Sequence, residues 1–327
     1  MRDFLRSSAA LVWAPVLAVA AAAASLDRGT DPGDLVYFVH RGEQLLSDGW
    51  AQTFSDPILQ SGPLQLLVFG AVRNLAALAF VMEVGVAVLL LVVLGRLGVS
   101  SRVRLGAGLV AVGAGLTHLA FADGHPAEAV VPLLWVVAGL WAREDRVVAA
   151  GALVGLSAGL ELWGVLGGIA LVLAPRLRRA VVGAAVEAGV VVAQLAPFVL
   201  FGEFRMFDVR WDVTGGTLLS LFVSPGTHFG WPLRLAQAVL AVGAGTALAL
   251  KLRASLHAVW AAPLAAVLVR LLLDPVSFGW YWLEVEALVL VGAALVVTQL
   301  PSRFPGARPA RVVAPPRRAA APPPVRS

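Results

Sequence analysis

The segment VVAAGALVGLSAGLELWGVLGGIALVLA, residues 147–174, decides how this chain folds. It is almost entirely apolar, and an arginine cluster flanks it on each side. Arginine-rich loops stay on the cytoplasmic side of a membrane, so a single crossing here would invert every later span. Two helices of about 13 residues that meet near Gly159–Glu161 avoid the inversion, because each is too short to cross a bilayer. The sequence therefore predicts a re-entrant or broken hairpin, which is tolerated only inside protein or beside a cavity.

The composition places the rest of the chain in a bilayer as well. Of 327 residues, 59% are hydrophobic and 14% are charged, with a mean hydropathy of +0.84, whereas soluble domains carry about 25% charged residues. The chain contains no cysteine, which excludes disulfides and cysteine-based metal or redox chemistry. We expect an all-α, polytopic integral membrane protein with about eight transmembrane helices plus short or re-entrant helices.

The apolar runs define the predicted spans. They cover residues 9–26, 75–95, 104–121, 126–142, 180–201, 232–250, 255–273 and 281–299. The first run also resembles a signal peptide, with Arg2 and Arg6 before an apolar core, but the polytopic remainder favours a retained anchor. Residues 63–73 predict a short helix that dips in from the outer face.

The basic residues predict the orientation. With the amino terminus in the cytoplasm, the short arginine-rich loops all fall on the same side, and 18 of the 25 basic residues are cytoplasmic. Loops 27–62 and 202–231 are then extracytoplasmic. Residues 1–300 form the membrane domain, and the Pro/Arg-rich tail 301–327 is predicted to be disordered and cytoplasmic. This pattern favours a multi-pass plasma-membrane protein that contacts membrane lipids, and it argues against nucleic acid as a partner.

The first outer loop is unusually rich in acidic residues for a predicted membrane protein. Within residues 27–65 there are six carboxylates, Asp27, Asp31, Asp34, Glu43, Asp48 and Asp56. Residues 34–46 have helical spacing, with an apolar stripe that suits a helix lying on the membrane surface. Asp34 stands where this helix begins, so a capping role is the plain alternative to a chemical one.

This loop resembles the first extracytoplasmic loop of the polyprenyl-phosphate-sugar-dependent glycosyltransferases of the GT-C superfamily. In that family an acid just after the first span is followed by an aromatic residue, a Gly-x-x-Leu-Leu stretch and a Pro-containing entry to the next span. Here these are Asp34, Tyr37, Gly42-Glu-Gln-Leu-Leu46 and Gly62-Pro63-Leu64. The nearest counterpart of an acid pair is Asp31-Pro-Gly-Asp34. The resemblance extends over roughly residues 1–200.

The resemblance implies transfer of a sugar from a polyprenyl-phosphate donor to a hydroxyl of a glycan, lipid or protein acceptor. Asp34 is the expected catalytic base, with Asp31 as its helper or a metal contact, so a divalent cation stays open as cofactor. The expected substrate-binding residues are Tyr37, Arg41, Trp50, Asp123, His125, Glu128, Arg205, Arg210, Trp211 and His228. The arginines suit the phosphate, because a guanidinium binds it through two nitrogens. Further arginines near the outer face are Arg73, Arg234 and Arg270.

Each of these candidates also has a plainer interpretation. The arginines suit lipid headgroups, and the tryptophans suit the aromatic belt at the membrane interface. Pro126 and Glu128 mark a helix start, and His-Pro-Ala-Glu lacks the histidine spacing of a helical zinc site. Glu284 and Glu286, near Asp274 and Arg270, suit a structural ion-pair network.

Two other functions stay open. Glu83, Glu161 and Glu187 lie inside apolar runs, where acids are functional candidates by default. Together with the broken hairpin they suit a transporter or flippase with a midplane site, and Glu161 is the strongest candidate among them. The other possibility is a non-catalytic GT-C-like membrane protein. An enzyme requires Asp34 and tolerates glutamine at the midplane glutamates, whereas a transporter shows the reverse.

Overall fold

Helices dominate the structure. The computed structural model describes residues 10–26, 33–118 and 124–300. In this part of the chain, extended backbone pairs only at two isolated antiparallel bridges, Ser61–Glu161 and Asp212–His228. Five helices there are long and apolar enough to cross a membrane: Leu75–Arg96, Pro126–Arg143, Leu177–Phe201, Trp231–Lys251 and Gly279–Gln299. The fold is that of an all-α membrane protein, as the composition predicts.

The α-helices are numbered here in chain order. The first five are α1 (Ala10–Leu26), α2 (Leu35–Leu45), α3 (Pro63–Val72), α4 (Leu75–Arg96) and α5 (Ser101–Gly113). The others are α6 (Pro126–Arg143), α7 (Val147–Ala158), α8 (Leu177–Phe201), α9 (Trp231–Lys251), α10 (Ala258–Leu272) and α11 (Trp282–Gln299). A long 3₁₀ helix, Leu162–Leu173, lies between α7 and α8. Seven of the eight predicted spans coincide with a helix to within three residues at each end.

The helix predicted over residues 104–121 is interrupted at Ala114 and Gly115, is helical again at residues 116–118, and is not described over residues 119–121. α5 ends at Gly113, and Gly115 follows with a φ of 94°, which a glycine adopts without steric cost. The 13 residues of α5 rise only about 20 Å, which is less than the thickness of a bilayer core. α1 and α10, with 17 and 15 residues, are also short. Helix length alone therefore does not establish eight spans.

The break predicted within residues 147–174 is present. α7 ends at Ala158, the chain turns at Gly159, and Glu161 is extended, with φ −139° and ψ 137°. The 3₁₀ helix then begins at Leu162 and packs back against α7. A 3₁₀ helix rises about 2.0 Å per residue rather than about 1.5 Å, so the second half of the hairpin is longer than the first. The sequence pattern located the break but did not indicate the 3₁₀ conformation.

Small residues repeated every third position explain the 3₁₀ helix. Gly164, Gly167 and Ala170 are buried on one face, because residues i and i+3 eclipse in this conformation. A Cβ atom at Gly164 would overlap the backbone of Ser157, and one at Gly167 would overlap the indole of Trp135. This face of small residues therefore lets the 3₁₀ helix lie directly against α6 and α7.

The start of α3 holds the tip of the hairpin. The amides of Gly62 and Leu64 donate to the carbonyl oxygens of Leu160 and Gly159, respectively, both at 2.8 Å. The first amides of a helix and the last carbonyls of another have no partners within their own helices. Here the two ends satisfy each other. Gly62 is required at this contact, since a Cβ atom would overlap the Gly159 carbonyl.

The apolar stripe of α2 packs against protein rather than lying on a surface. Leu35, Phe38 and Val39 are buried in a cluster with side chains of α3 and α4. α2 and α3 approach most closely where Gly42 meets Gly70, and neither position has room for a Cβ atom. This contact seats α2, and with it Asp34, against the bundle.

We predict that Gly42→Ala lowers the melting temperature of the purified protein in detergent. The new methyl group would overlap backbone atoms of Leu66 and Gly70, which should cost about 1–3 kcal/mol. Gly85→Ala in α4 is the matched control, because a Cβ atom there meets nothing within 4 Å and alanine has the higher helix propensity. Equal melting temperatures for the two variants would contradict the close contact of α2 with α3.

Candidate functional site

A cavity of about 980 Å³ lies where the loop before α3, the hairpin tip and residues 206–211 meet the helix bundle. Aromatic rings form much of its wall: Tyr37, Phe38, Trp163, Phe207, Trp211, Trp231, Phe278, Trp280 and Tyr281. Ionisable groups form the rest: Asp34, Asp56, His125, Glu128, Glu161, Arg234, Arg270 and Asp274. Cavities of a few hundred to about 1,000 Å³ hold small-molecule ligands. Aromatic faces beside carboxylates suit a polyhydroxylated one.

Several residues that the sequence singled out separately converge on this cavity. Those in its wall are Asp34, Tyr37, His125, Glu128, Glu161 and Trp211. Arg41 stands immediately behind the wall. Its Nη2 donates to Asp56 at 3.0 Å, and its guanidinium carbon lies 5.2 Å from the centre of the Tyr37 ring.

Other predicted ligands lie away from the cavity wall. Trp50 packs edge-on against Phe198 in the cluster beneath α2. Arg205 is exposed and pairs with Asp208, three residues on, at 3.1 Å. Arg210 is exposed. Arg205 and Arg210 were predicted as ligands from their charge in an outer loop. Local pairing or solvent satisfies both arginines without a ligand.

Of the last three predicted site residues, only His228 is described. His228 is exposed, and its Nδ1 lies 3.6 Å from Asp212 across an isolated bridge outside the cavity. Asp31 and Asp123 lie outside the residues that the structure describes. The predicted roles of Asp31 as helper of the base and of Asp123 in substrate binding therefore remain predictions.

Asp34 and His125 form a pair in the cavity wall. Oδ2 of Asp34 and Nε2 of His125 are 3.1 Å apart, the distance of an N–H donating to a carboxylate. Asp34 precedes α2, but its side chain makes no capping hydrogen bond, so capping is not its role. His125 precedes α6 and stacks flat on Trp280, with centroids 4.7 Å apart and planes 4° from parallel. The helix start predicted at Pro126 thus also presents the His125 side chain to the cavity.

The hydrogen bond from His125 lowers the pKa of the Asp34 carboxyl, although partial burial acts in the opposite direction. Asp34 is therefore ionised at neutral pH. Its side chain is 58% exposed, while that of His125 is only 13% exposed. One oxygen of Asp34 is thus held by the ring, and the group remains accessible. An oriented, accessible carboxylate can take the proton of a bound hydroxyl.

A second polar group joins α2 to the following loop. The Tyr37 hydroxyl donates to Asp56 Oδ2 at 2.8 Å, and Arg41 donates to the same oxygen. Burial and the bond to Asp56 raise the pKa of Tyr37 to about 12, so its hydroxyl stays neutral. Burial opposes ionisation of Asp56, but the Ile58 amide, Tyr37 and Arg41 together lower its pKa. The sequence pattern did not connect Asp56 with Tyr37, because they lie 19 residues apart.

A buried ion pair stands at the cavity wall, where Arg270 is a lining residue. Arg270, in the last turn of α10, binds Glu284 of α11, so the ion pair expected from the sequence is present. The guanidinium carbon lies 4.8 Å from the Trp163 ring centre and 5.3 Å from that of Tyr281. Arg270 is therefore fixed by a carboxylate and two rings.

Arg234 is a cation in the cavity wall with two open donors. It lies in the first turn of α9, is half-buried and lines the cavity. Its Nε and Nη2 atoms are buried and have no hydrogen-bond partner among the described residues. Unpaired buried donors are costly, and the amino end of a helix favours anions. Arg234 thus suits an anionic group of a ligand.

The aromatic-belt interpretation of Trp280 is incomplete. Its ring lies between His125 and Phe278, and it stacks on Phe278 at 4.6 Å with planes 5° from parallel. Trp231 and Phe278 likewise line the cavity. The run FGWYW at residues 278–282, just after Asp274, was the signal for this wall in the sequence.

No protein-family model, curated protein or solved structure matches this chain. The fold and the cavity define this chain as an α-helical membrane protein whose cavity is lined by aromatic rings and carboxylates. Within the described residues, no three His, Asp or Glu side chains are placed to hold a metal ion together.

We predict that His125→Phe raises the pKa of Asp34, because a ring that can still stack on Trp280 no longer donates a hydrogen bond. In the wild type the lowered pKa stabilises the fold at neutral pH, and this contribution disappears as the pH falls through the folded-state pKa. NMR titration of ¹³C-labelled aspartate measures the change. His228→Phe, outside the cavity, is the control and should leave Asp34 unaffected. If Asp34 titrated alike in the wild type and His125→Phe, the pairing would be excluded.

Proposed function

We propose that this protein is a GT-C-like integral membrane glycosyltransferase that transfers a sugar from a polyprenyl-phosphate donor to an acceptor hydroxyl. The observation that carries the proposal is the Asp34–His125 pair in the wall of a cavity that also holds aromatic rings and Arg234. Glycosyl transfer of this kind needs a base, a platform for the sugar and a cation for the leaving phosphate. One cavity offers all three.

An apolar groove next to the cavity supports a lipid-linked donor. The groove has a volume of about 650 Å³ and follows α9 from Ala238 to Leu250. It shares Val165, Leu166 and Ala238 with the cavity wall. The polar cavity therefore continues into an apolar groove along about 18 Å of helix. A polar head joined to an isoprenoid chain has the same distribution of polarity.

In the proposed reaction, the acceptor oxygen bonds to the anomeric carbon of the sugar. The bond from that carbon to the phosphate oxygen breaks, and its electron pair leaves with the phosphate. Asp34 takes the proton of the acceptor hydroxyl, and His125 holds the carboxylate in position. Arg234 stabilises the negative charge of the phosphate. Positioning and fixed charge supply the catalysis.

The topology proposed for this enzyme places the cavity at the outer face of the plasma membrane. About eight spans with both termini in the cytoplasm bring loops 27–62 and 202–231 to that face. The hairpin of residues 147–174 is then re-entrant, and its tip reaches the cavity from within the bundle. The tail 301–327 lies outside the described residues.

The transporter alternative receives less support from the placement of the intramembrane glutamates. Glu161 lines the cavity. Glu83 is buried in α4, and the Glu187 carboxylate lies against Gly168 of the 3₁₀ helix, so neither lines the cavity. The three glutamates thus do not form one midplane site.

We predict that Asp34→Asn lowers the rate of sugar transfer by about 10²–10⁴-fold, because the amide cannot take the acceptor proton. The assay follows the incorporation of labelled sugar into acceptor by purified protein, from a panel of polyprenyl-phosphate sugars. The amide oxygen still accepts from His125, so the melting temperature should change little. Asp212→Asn, an exposed acid outside the cavity, is the control with full activity.

Either of two results would contradict this proposal. Full activity in Asp34→Asn would exclude Asp34 as the base. Absence of transfer by the wild type from every donor would exclude the glycosyltransferase, and tests of transport with Glu161→Gln would follow.

A further inference from the structure

The acidic side chains at the cavity outnumber the cationic side chains that could pair with them. Three acids at the cavity have ion-pair partners, namely Asp34 with His125, Asp56 with Arg41, and Glu284 with Arg270. A fourth, Asp274, lies within electrostatic range of Arg234 and Arg270. Glu128 and Glu161 line the same cavity, and within the described residues neither has an ion pair. Arg270 lies within electrostatic range of both, but it is already bound to Glu284.

Glu128 is the more isolated of the two carboxylates. It lies in the first turn of α6 with a relative exposure of 3%, and its Oε2 atom has no hydrogen-bond partner among the described residues. Glu284 and Glu161 both add negative charge around it. A buried carboxylate oxygen without a partner is costly. Glu284 approaches the Glu128 side chain to hydrogen-bond distance. Two ionised carboxylates can only accept hydrogen bonds, so this site needs either a proton or a donor from a ligand.

Glu161 is held by neutral donors. Its Oε1 accepts hydrogen bonds from Ser61 Oγ at 3.2 Å and Gln65 Nε2 at 3.5 Å. Ser61 and Gln65 fix the direction of the carboxylate but contribute no charge. The same contact is the backbone bridge that anchors the hairpin tip, so Glu161 is presented to the cavity by the fold itself.

We propose that the cavity takes a sugar with a free amino group, and that its ammonium binds Glu128 and Glu161. The inference rests on the proposed function and specifies its sugar. An ammonium provides three donors and the missing positive charge. Trp163 and Trp280 line the same cavity, and their buried indole N–H groups have no partner among the described residues. They supply donors for the oxygens of neighbouring hydroxyls.

A neutral sugar fits this arrangement less well. Its hydroxyls can donate to Glu128, but they add no positive charge beside Arg270, whose charge both carboxylates share with Glu284. Charge-assisted hydrogen bonds are shorter and roughly twice as strong as neutral ones. The cavity should therefore discriminate between an amino sugar and the matching hydroxyl sugar.

The test is a binding measurement on the purified full-length protein. Calorimetry compares methyl glycosides that carry an amino group at one ring position with the matching hydroxyl and N-acetylamino compounds. We expect at least one amine to bind about tenfold to hundredfold more tightly than its neutral counterparts. Glu128→Gln and Glu161→Gln should each reduce that preference. Glu187→Gln, a buried acid outside the cavity, should keep it, and melting temperatures show which variants are folded.

Each contrary result overturns the inference. It fails if every amine and its hydroxyl counterpart bind the wild type equally, if no compound shows saturable binding, or if both cavity variants keep the full preference. The measurement needs neither donor lipid nor turnover, so it separates this inference from the enzyme proposal. Amine preference without transfer from any lipid donor keeps the site and excludes the enzyme. Transfer of neutral sugars only keeps the enzyme and excludes the amine.

Discussion

The backbone hydrogen bonds between the start of α3 and the end of α7 are the contact on which the cavity depends. They join amides and carbonyls that helix ends leave open, between the buried Gly62 and Gly159 and the half-buried Leu64 and Leu160. Because α7 stops there, Glu161 turns into the cavity instead of continuing a helix. Because Ser61 is fixed beside it, the loop that carries Asp56 is anchored as well. One contact thus joins the hairpin to the wall of the site.

The carboxylates of this cavity fall into two kinds that differ in solvent exposure. Asp34 is accessible, ionised and held by His125, so it can exchange a proton with a ligand. Glu128 and Glu161 are buried beside the Arg270–Glu284 pair, where charge is hard to sustain without a partner. Acids in unlike environments take unlike roles. The accessible acid suits proton transfer, and the buried acids suit recognition of a positively charged group.

Much of the helix plan could be predicted from the sequence, because the length of an apolar run sets the length of a helix and arginine clusters mark its ends. The break at Gly159 followed from those clusters. The early end of α5 and the 3₁₀ helix depend on backbone geometry at glycines, which hydropathy does not register. Asp34 and His125 were each expected in the site, but their pairing joins residues 91 positions apart. Local periodicity carries no information about such contacts, which is also why Asp56 was missed.

The most direct measurement is photo-cross-linking with a polyprenyl-phosphate sugar whose isoprenoid chain carries a diazirine. We predict labelled peptides from α9 between Ala238 and Leu250 and from the segment with Val165. Excess unlabelled donor and Arg234→Gln should suppress the labelling, whereas Arg205→Gln, whose arginine lies outside the cavity, should not. Labelling that is spread over the exposed face of α8, or that persists with excess donor, would contradict the assignment of this cavity to a lipid-linked sugar.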